Sequence, residues 1–330
     1  MSRKKFNPRT LVQVVFALVV LSLGINFILF VNHYLGPNAN SPFNRPAGVE
    51  GFLPISALVA LKAWLATGIF DTIHPAGLVI LLTAIIISVI FKKAFCGWLC
   101  PIGTLSTGLA RIGKFLFGRN FRVPLVLDYP LRSLKYLIMA FFLSTVLLGM
   151  SGSAAAAFLN TPYNMVADVK MLQFFQNLAG VGLLILGLII VLSVLFENFW
   201  CRYLCPYGAL LGIISMVSPW RIARTAKTCI NCSACTQACP NRIEVATAQQ
   251  VWSPECNGCL ECVRACPVPQ TLQFRSILTH WAFSPQAMAL AVVGTWLIFV
   301  AVAKLSGHWQ TSITPQMYRV LIPNAANYTH

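Results

Sequence analysis

Acidic side chains are scarce in this sequence: 330 residues hold eight Asp and Glu against 24 Lys and Arg, and all charged residues together make up 10% of the chain. A water-soluble domain carries roughly 25%, which argues against a soluble enzyme. No Cys-x2-Cys-His sequence occurs, which argues against covalent c-type haem. Paired histidines in facing apolar runs are missing as well, which argues against haem b. There is no Gly-x-Gly-x-x-Gly fingerprint and no Walker loop, so neither a hydride acceptor nor a nucleotide motor is indicated. Finally, no cysteine stands outside a spaced motif: all 12 belong to one, which points to metal ligation rather than a disulfide framework.

What is abundant is apolar sequence, 57% of the chain. Residues 11–31 follow a basic start (Met-Ser-Arg-Lys-Lys) and are long enough to span a bilayer. They are too long for a secretory h-region and lack a small-residue cleavage site, so an uncleaved first span is expected. Further spans are expected at 75–91, 134–150, 178–196 and 286–303. Residues 53–70 read as an interfacial or re-entrant helix, 110–133 as a basic connection and 151–177 as a loop. The net charge of +16 invites a nucleic-acid reading, but the charges sort by segment. Residues 1–10, 92–135 and 197–283 hold 19 of the 24 Lys and Arg. By the positive-inside rule the N-terminus and the cysteine-rich segment are cytoplasmic and the C-terminus is outside, in a multi-pass cytoplasmic (inner) membrane protein. No nucleic-acid partner is expected.

An internal repeat joins Phe95-Cys96-Gly97-Trp98-Leu99-Cys100-Pro101-Ile102-Gly103-Thr104-Leu105 to Trp200-Cys201-Arg202-Tyr203-Leu204-Cys205-Pro206-Tyr207-Gly208-Ala209-Leu210. Six of the eleven aligned positions are identical. Each copy follows a pair of expected spans, which suggests a duplicated two-helix unit.

The strongest chemical signal is Cys229-x2-Cys232-x2-Cys235-x3-Cys239-Pro240, repeated as Cys256-x2-Cys259-x2-Cys262-x3-Cys266-Pro267. This is the spacing of bacterial ferredoxins with two [4Fe–4S] clusters. Three thiolates of one loop cap three irons, and the Cys before Pro turns to the other cube. Cluster one is expected on Cys229, Cys232, Cys235 and Cys266, and cluster two on Cys256, Cys259, Cys262 and Cys239. Zinc competes for four-cysteine sites, but it pairs two Cys-x2-Cys units and needs no triplet with Cys-Pro. The repeated Cys-x3-Cys-Pro segments are less specific. On an α-helix Cys96 and Cys100, and likewise Cys201 and Cys205, share a face. Facing copies then converge four sulfurs, a set that suits iron, an Fe–S cluster or zinc, and a further iron or Fe–S centre is expected there. A thiol/disulfide pair and simple packing thiols are the alternatives.

The fold class expected is an α-helical integral membrane protein of about five transmembrane helices with a duplicated two-helix unit, plus a small α+β ferredoxin-like two-cluster domain. Its parts are a first membrane unit (1–109), a second (110–212), the ferredoxin-like domain (213–275), and a fifth span with an outer tail (276–330). His74, beside Asp71, Lys62 and Trp64, is a candidate proton acceptor for quinol, because imidazole titrates in the useful range; the plainer reading is that it starts a helix. Glu197 is expected to anchor a basic loop. Arg202, Arg221, Arg224 and Lys227 are expected to face lipid headgroups.

Over about Phe91–Arg275, the two Cys-x3-Cys-Pro segments and the two ferredoxin motifs together make the sequence resemble the NapH-type membrane polyferredoxins. The C-terminal half of the NosR type and the CcoG-type maturation factors are related to these. The resemblance implies a quinol dehydrogenase component: quinone is the substrate, electrons pass through the clusters, and the partners are cytochrome c or reductase subunits. A rival reading is a maturation factor that reduces a metal or thiol of another metalloenzyme, though the CcoG type carries a large extra C-terminal domain. A redox sensor or anchor is the third. Two departures from the NapH pattern are the tail Leu305–His330 and the outer segment Arg45–Gly77, both read as partner-docking elements.

Overall fold

The computed structural model describes residues 7–36, 44–279 and 281–329; the basic start lies outside them. The chain is mostly helical. Helices α1 (Pro8–Leu35), α2 (Pro54–Thr67), α3 (Pro75–Phe91), α4 (Pro101–Phe117) and α5 (Leu125–Leu147) come first. Three short helices follow, α6 (Gly152–Leu159), α7 (Pro162–Met165) and α8 (Ala167–Gln176), then α9 (Gly180–Leu195) and α10 (Pro206–Ile214). The cysteine-rich segment contributes β1 (Trp220–Arg224), α11 (Ala234–Gln237), α12 (Glu261–Ala265), β2 (Leu272–Ser276) and β3 (Ala282–Phe283). Helices α13 (Pro285–Leu305) and α14 (Pro315–Leu321) end the chain.

Among the described residues, three helices are long and apolar enough to cross a bilayer: α1, Val126–Leu147 of α5, and α13. Helices α8 and α9 pass together as a fourth, bent by 84°. Helix α3 has the bounds expected of a span, but its 17 residues make about 25 Å of helix, short of a hydrocarbon core of about 30 Å.

Two expected connections are helical instead. The basic stretch near 110 is the end of α4, which starts with Pro101 and stops at Gly118 in the left-handed region (φ 70°). A stripe of small residues, Gly103, Ser106, Ala110 and Gly113, is its buried side. Its basic residues stand among exposed apolar ones such as Phe115 and Leu116, the make-up of an interfacial helix. The 151–177 segment folds as α6–α8 because Ser151 and Thr161 act as N-caps, their hydroxyls accepting from Ala154 N and Asn164 N.

The chain divides into two compact units, each assembled from three stretches. The unit made of Leu18–Thr83, Ala140–Leu184 and Leu297–His330 holds two apolar clusters. One packs Phe27, Phe30 and Val31 against Tyr318, Leu321 and Ile322, so the C-terminal tail is core rather than a free docking arm. In the other, Val59, Ala60 and Ala63 on the buried side of α2 lie with Ala155 and Leu159 of α6. Lys62 does not join His74: its Nζ donates to the carbonyls of Val146 (2.9 Å), Leu147 (2.8 Å) and Met150 at the end of α5, where a cation suits the helix terminus. Trp64 packs on Phe70.

The unit made of Met1–Ala17, Ala84–Met139 and Ile185–Trp296 contains every cysteine. Its antiparallel sheet has the order β1-β2-β3, with Ile222 opposite Phe274 and Arg221 opposite Arg275. Alternation buries Ile222 and Phe274, stacked by Trp220, in the core.

Arg202 sits in this unit at 2% exposure, not at lipid headgroups. It donates from Nε (2.9 Å) and Nη2 (2.8 Å) to the carboxylate of Asp128, and from Nη1 to Asn241 O (2.6 Å). Tyr203 and Arg132 complete the hydrogen bonds to Asp128. Helix α5 therefore begins at Leu125 rather than 134, because its charged first turns are paired inside the protein. Removing one partner of a buried pair costs about 3–5 kcal/mol. Asp128→Ala is accordingly expected to lower the melting temperature of the detergent-solubilised protein sharply, and Asp128→Asn less so. An unchanged melting temperature in Asp128→Ala would show that Arg202 escapes to water.

Candidate functional site

Two sulfur-lined cavities lie in the segment around the sheet. The first is lined by Cys229, Cys232, Cys235 and Cys266, with Arg224 and Leu272 on its wall. The second is lined by Cys239, Cys256, Cys259 and Cys262, with Ile222 and Val251. Each cavity thus takes three cysteines from one repeat and the last cysteine of the other. The two loops fold alike. Asn231 and Ser233 flank Cys232 with φ near 55°, and Gly258 and Leu260 flank Cys259 with φ near 57°. Positive φ on ordinary residues is uncommon; here it curls each loop around its middle cysteine before α11 or α12 presents the third.

Burial separates the cavities: Cys256, Cys259 and Cys262 are buried, whereas Cys232 is exposed. Burial and the neighbouring thiols Cys259 and Cys256 push Cys239 up to about 12. Such thiols give up their protons only to a compensating positive charge. Among the described residues no three His, Cys, Asp or Glu side chains gather closely enough to hold a lone metal ion. Sulfurs spread around a cavity suit a multi-iron cube better than one zinc ion.

A third cavity is lined by Cys96, Cys100, Cys201 and Cys205. The expected α-helical presentation of these cysteines is not what forms. In each copy the first cysteine lies in a π-turn, Phe95–Leu99 or Trp200–Leu204. The second cysteine is extended (ψ 121° and 105°) and caps the Pro-initiated helix that follows. The closing hydrogen bonds match, Cys100 N to Phe95 O (2.9 Å) and Cys205 N to Trp200 O (3.0 Å). Proline explains the change: it disfavours helical backbone in the residue before it, so the helix breaks at the second cysteine, and a π-turn takes up the preceding residues. Burial raises all four thiols, Cys100 to about 11, and the other thiols add to this in Cys96, Cys100 and Cys201. Lys93, on the wall, opposes it for Cys96, Cys201 and Cys205.

The second and third cavities share Asn241 and Asn257 as lining residues. Trp98 Nε1 donates to Gly258 O (3.0 Å), tying the first π-turn to the second cavity's loop. A Cβ on Gly97 would meet Asn257 O at 2.6 Å, so only glycine permits that approach. Glu255, next to Cys256, accepts from buried Lys135 at 2.6 and 2.7 Å. Burial alone would raise this carboxyl, but Lys93 and Lys135 hold it at about 2.

His74 lies in the other unit, 2% exposed, inside a cluster of charges. Its Nε2 donates to Asn164 O (2.7 Å), which fixes the tautomer. Its Nδ1 is 3.3 Å from Arg45 Nη2 and 3.6 Å from Glu50 Oε1. Arg45 also pairs with Glu50 (2.6 Å) and Asp168 (2.7 Å). Burial lowers the imidazole pKa, but the hydrogen bond and charge of Glu50 more than offset it, so it stands above its ordinary value. Asp71 accepts from the backbone N–H of Ile73 and His74 before α3. Glu197 is half-buried and forms no ion pair among the described residues.

Sequence reasoning passed over Arg45, Glu50, Asp128, Asp168 and Glu255 as site residues. A signal was there: of only eight acids in the chain, five are buried, Glu50, Asp71, Asp128, Asp168 and Glu255. In an acid-poor membrane chain, each acid in or beside an apolar run is suspect.

A 4Fe-4S binding domain profile matches twice, at residues 73–124 and 178–224, and a 4Fe-4S dicluster domain profile matches residues 221–267. Together these matches overlie all 12 cysteines. Among relatives, YccM of Escherichia coli (strain K12), named for electron transport, is 40% identical over 98% of this chain and 91% of its own. The ferredoxin-type protein NapH of the same organism is 29% identical over 63% of this chain and 71% of its own. The regulatory protein NosR of Pseudomonas aeruginosa is 29% identical over 52% of this chain and 23% of its own. No solved structure matches. With iron–sulfur matches on every cysteine, helices of membrane-crossing length and a close relative along nearly the whole chain, this protein belongs to the NapH/NosR-type family of 4Fe–4S ferredoxin-type membrane proteins, and its work is electron transport.

Proposed function

We propose that the protein is a three-centre electron relay that exchanges electrons with membrane quinol and passes them to a respiratory partner such as a cytochrome c or reductase subunit. The observation that carries this is the row of sulfur-lined cavities, from one with an exposed cysteine, through a buried one, to a third that shares its Asn241 and Asn257 wall. Cys229, Cys232, Cys235 and Cys266 would hold one [4Fe–4S] cluster, and Cys256, Cys259, Cys262 and Cys239 a second. Cys96, Cys100, Cys201 and Cys205 would hold a further Fe–S centre. When bound, such clusters supply one-electron storage.

The chain's own residues set the surroundings of these centres. Asn241 and Asn257 separate the second and third. Lys93 and Arg9, on the third cavity's wall, place positive charge beside thiolate ligands and favour the reduced state. In the other unit, His74 is the proton acceptor for quinol. Its Nε2 proton is held by Asn164 O, so uptake occurs at Nδ1, which then turns from accepting from Arg45 to donating to Glu50. We place five spans in the cytoplasmic membrane, formed by α1, α3, α5, α9 and α13, with the N-terminus and the ferredoxin-like domain in the cytoplasm and the C-terminus outside.

EPR on anaerobically purified protein, with a menaquinol analogue against a dithionite reference, tests the reading. Quinol is expected to produce part of the dithionite signal; a signal with dithionite alone would instead favour a maturation factor fed by a low-potential cytoplasmic donor. The double variant Cys100→Ser/Cys205→Ser is expected to lose about four irons per chain while keeping the two ferredoxin-type signals. Unchanged iron would leave those thiols as a redox or packing set. Because the acceptor must be neutral, the quinol-driven rate should rise as pH climbs through the raised His74 pKa. His74→Gln should slow that rate by about 100-fold and flatten its pH profile, with dithionite reduction unchanged. A retained pH profile in that variant would remove His74 from the proton path.

A further inference from the structure

The outer face of the sheet carries a groove that the relay itself does not use. The alternation that buries Ile222 and Phe274 puts Arg221, Ala223, Gln273 and Arg275 on the opposite face. Backbone 249–251 pairs with β1 on its free edge, through Arg224 N to Gln249 O and Val251 N to Ile222 O (both 2.8 Å). This places Gln250 and Trp252 beside the arginines. The resulting open groove holds about 600 Å³, and no carboxylate lines it among the described residues.

Three features mark the groove as a recognition surface. Arg221 and Arg275 stand directly opposite each other on adjacent strands, an arrangement of like charges that weakens the pair unless an anion lies between them. The Arg221 guanidinium lies 4.7 Å from the centre of the Trp252 ring. Trp252 itself is 64% exposed, and a large aromatic left in water among arginines has the composition of a protein-binding hot spot. Position supplies the third. At the Trp220–Ser276 end of the sheet the chain passes exposed Leu278 and Trp281 and enters the apolar helix α13. At the opposite end Arg224 lines both the groove and the cavity of Cys229, Cys232, Cys235 and Cys266. The groove therefore leads away from the lipid-entering end towards the most exposed sulfur cavity.

We infer that this groove docks a soluble one-electron carrier protein with an acidic face, seated on Arg221, Arg275 and Trp252 beside the Cys229–Cys235 loop. The inference rests on the iron–sulfur reading of that cavity. Anionic lipid is the competing occupant, and the position of the groove's far end favours a protein. Arg275, opposite Arg221, makes a further interaction within the chain, so the partner adds to its contacts rather than supplying the first.

The test uses the full chain in phosphatidylcholine nanodiscs and an acidic flavodoxin as probe, with binding followed at low and high salt. The wild type is expected to bind with an affinity that falls steeply as salt rises, because screening weakens exposed charge pairs. Arg221→Glu/Arg275→Glu is expected to bind at least tenfold more weakly, with iron content and the dithionite-reduced EPR signal unchanged. Trp252→Ala, which leaves the charges in place, should also weaken binding, and Arg221→Lys/Arg275→Lys should largely retain it. Equal affinity in the charge-reversed and wild-type proteins, or binding insensitive to salt, would overturn the inference. So would a charge-reversed protein that binds flavodoxin normally but loses attachment to phosphatidylglycerol vesicles, because lipid would then be the occupant. Failure of the underlying iron–sulfur reading shows separately, as a wild-type protein without iron or a reduced-cluster signal.

Discussion

A buried cation that keeps its charge needs a counter-charge within reach, and this chain has few carboxylates. Removing a guanidinium or ammonium from water without a counter-charge costs several kcal/mol per ion. Arg45, Lys135 and Arg202 are all deeply buried, and each meets an acid: Arg45 with Glu50 and Asp168, Lys135 with Glu255, and Arg202 with Asp128. These pairs fix the geometry around the chemistry. Asp128 holds Arg202, and Arg202 holds Asn241, which lines two sulfur cavities. Lys135 holds Glu255, whose backbone carbonyl accepts from Asn241 Nδ2 (2.6 Å) and whose neighbour is Cys256. The Asp128–Arg202 and Lys135–Glu255 pairs and the sulfur sites they border are therefore built together.

The cysteine spacing was the most legible part of the sequence, because ligand geometry demands particular residues at particular intervals and no packing argument imitates it. The extent of α3 was also readable, from an unbroken apolar run beginning at a proline. What the residues concealed was decided by tertiary partners. Arg202 reads as a surface charge until Asp128 is found next to it, and Asp128 lies 74 positions away. The segment 151–177 reads as a loop because its helices are too short to show periodicity, although Ser151 and Thr161 are ordinary caps. Cys-x3-Cys suggested one helical face; the proline after the second cysteine was the clue that the helix breaks there. The tail near Tyr318 was apolar enough to be core, but an outer tail beyond a last span carries no mark of what it packs on.

The cluster around His74 follows the same charge logic with a different result. Arg45 faces two carboxylates, Glu50 and Asp168, so the group is one positive charge short while His74 is neutral. A proton on His74 completes the balance without any atom having to reach water. Lys62, which the sequence placed beside His74, is instead occupied with the end of α5.

The two Cys-x3-Cys-Pro segments show how a repeat can divide its labour. Four of the six positions identical in both copies present sulfur: the two cysteines, the proline that breaks the helix, and the glycine two residues after it. A Cβ on Gly103 would meet Cys96 O at 2.5 Å, and Gly208 N donates to Cys205 Sγ at 3.3 Å. The positions that differ do the docking. Gly97 and Trp98 meet Asn257 and Gly258, and Arg9 and Gln13 donate to Gly97 O at 2.9 and 3.0 Å. Their counterparts Arg202 and Tyr203 meet Asp128, and Arg202 also reaches Asn241. Two segments approaching one ferredoxin-like segment from different sides cannot carry the same contact residues, because each meets a different loop. They must carry the same sulfur-presenting residues, because neither copy alone supplies four thiols to the cavity. Divergence at some positions and identity at others thus follow from one requirement, that two unlike approaches close a single four-sulfur site.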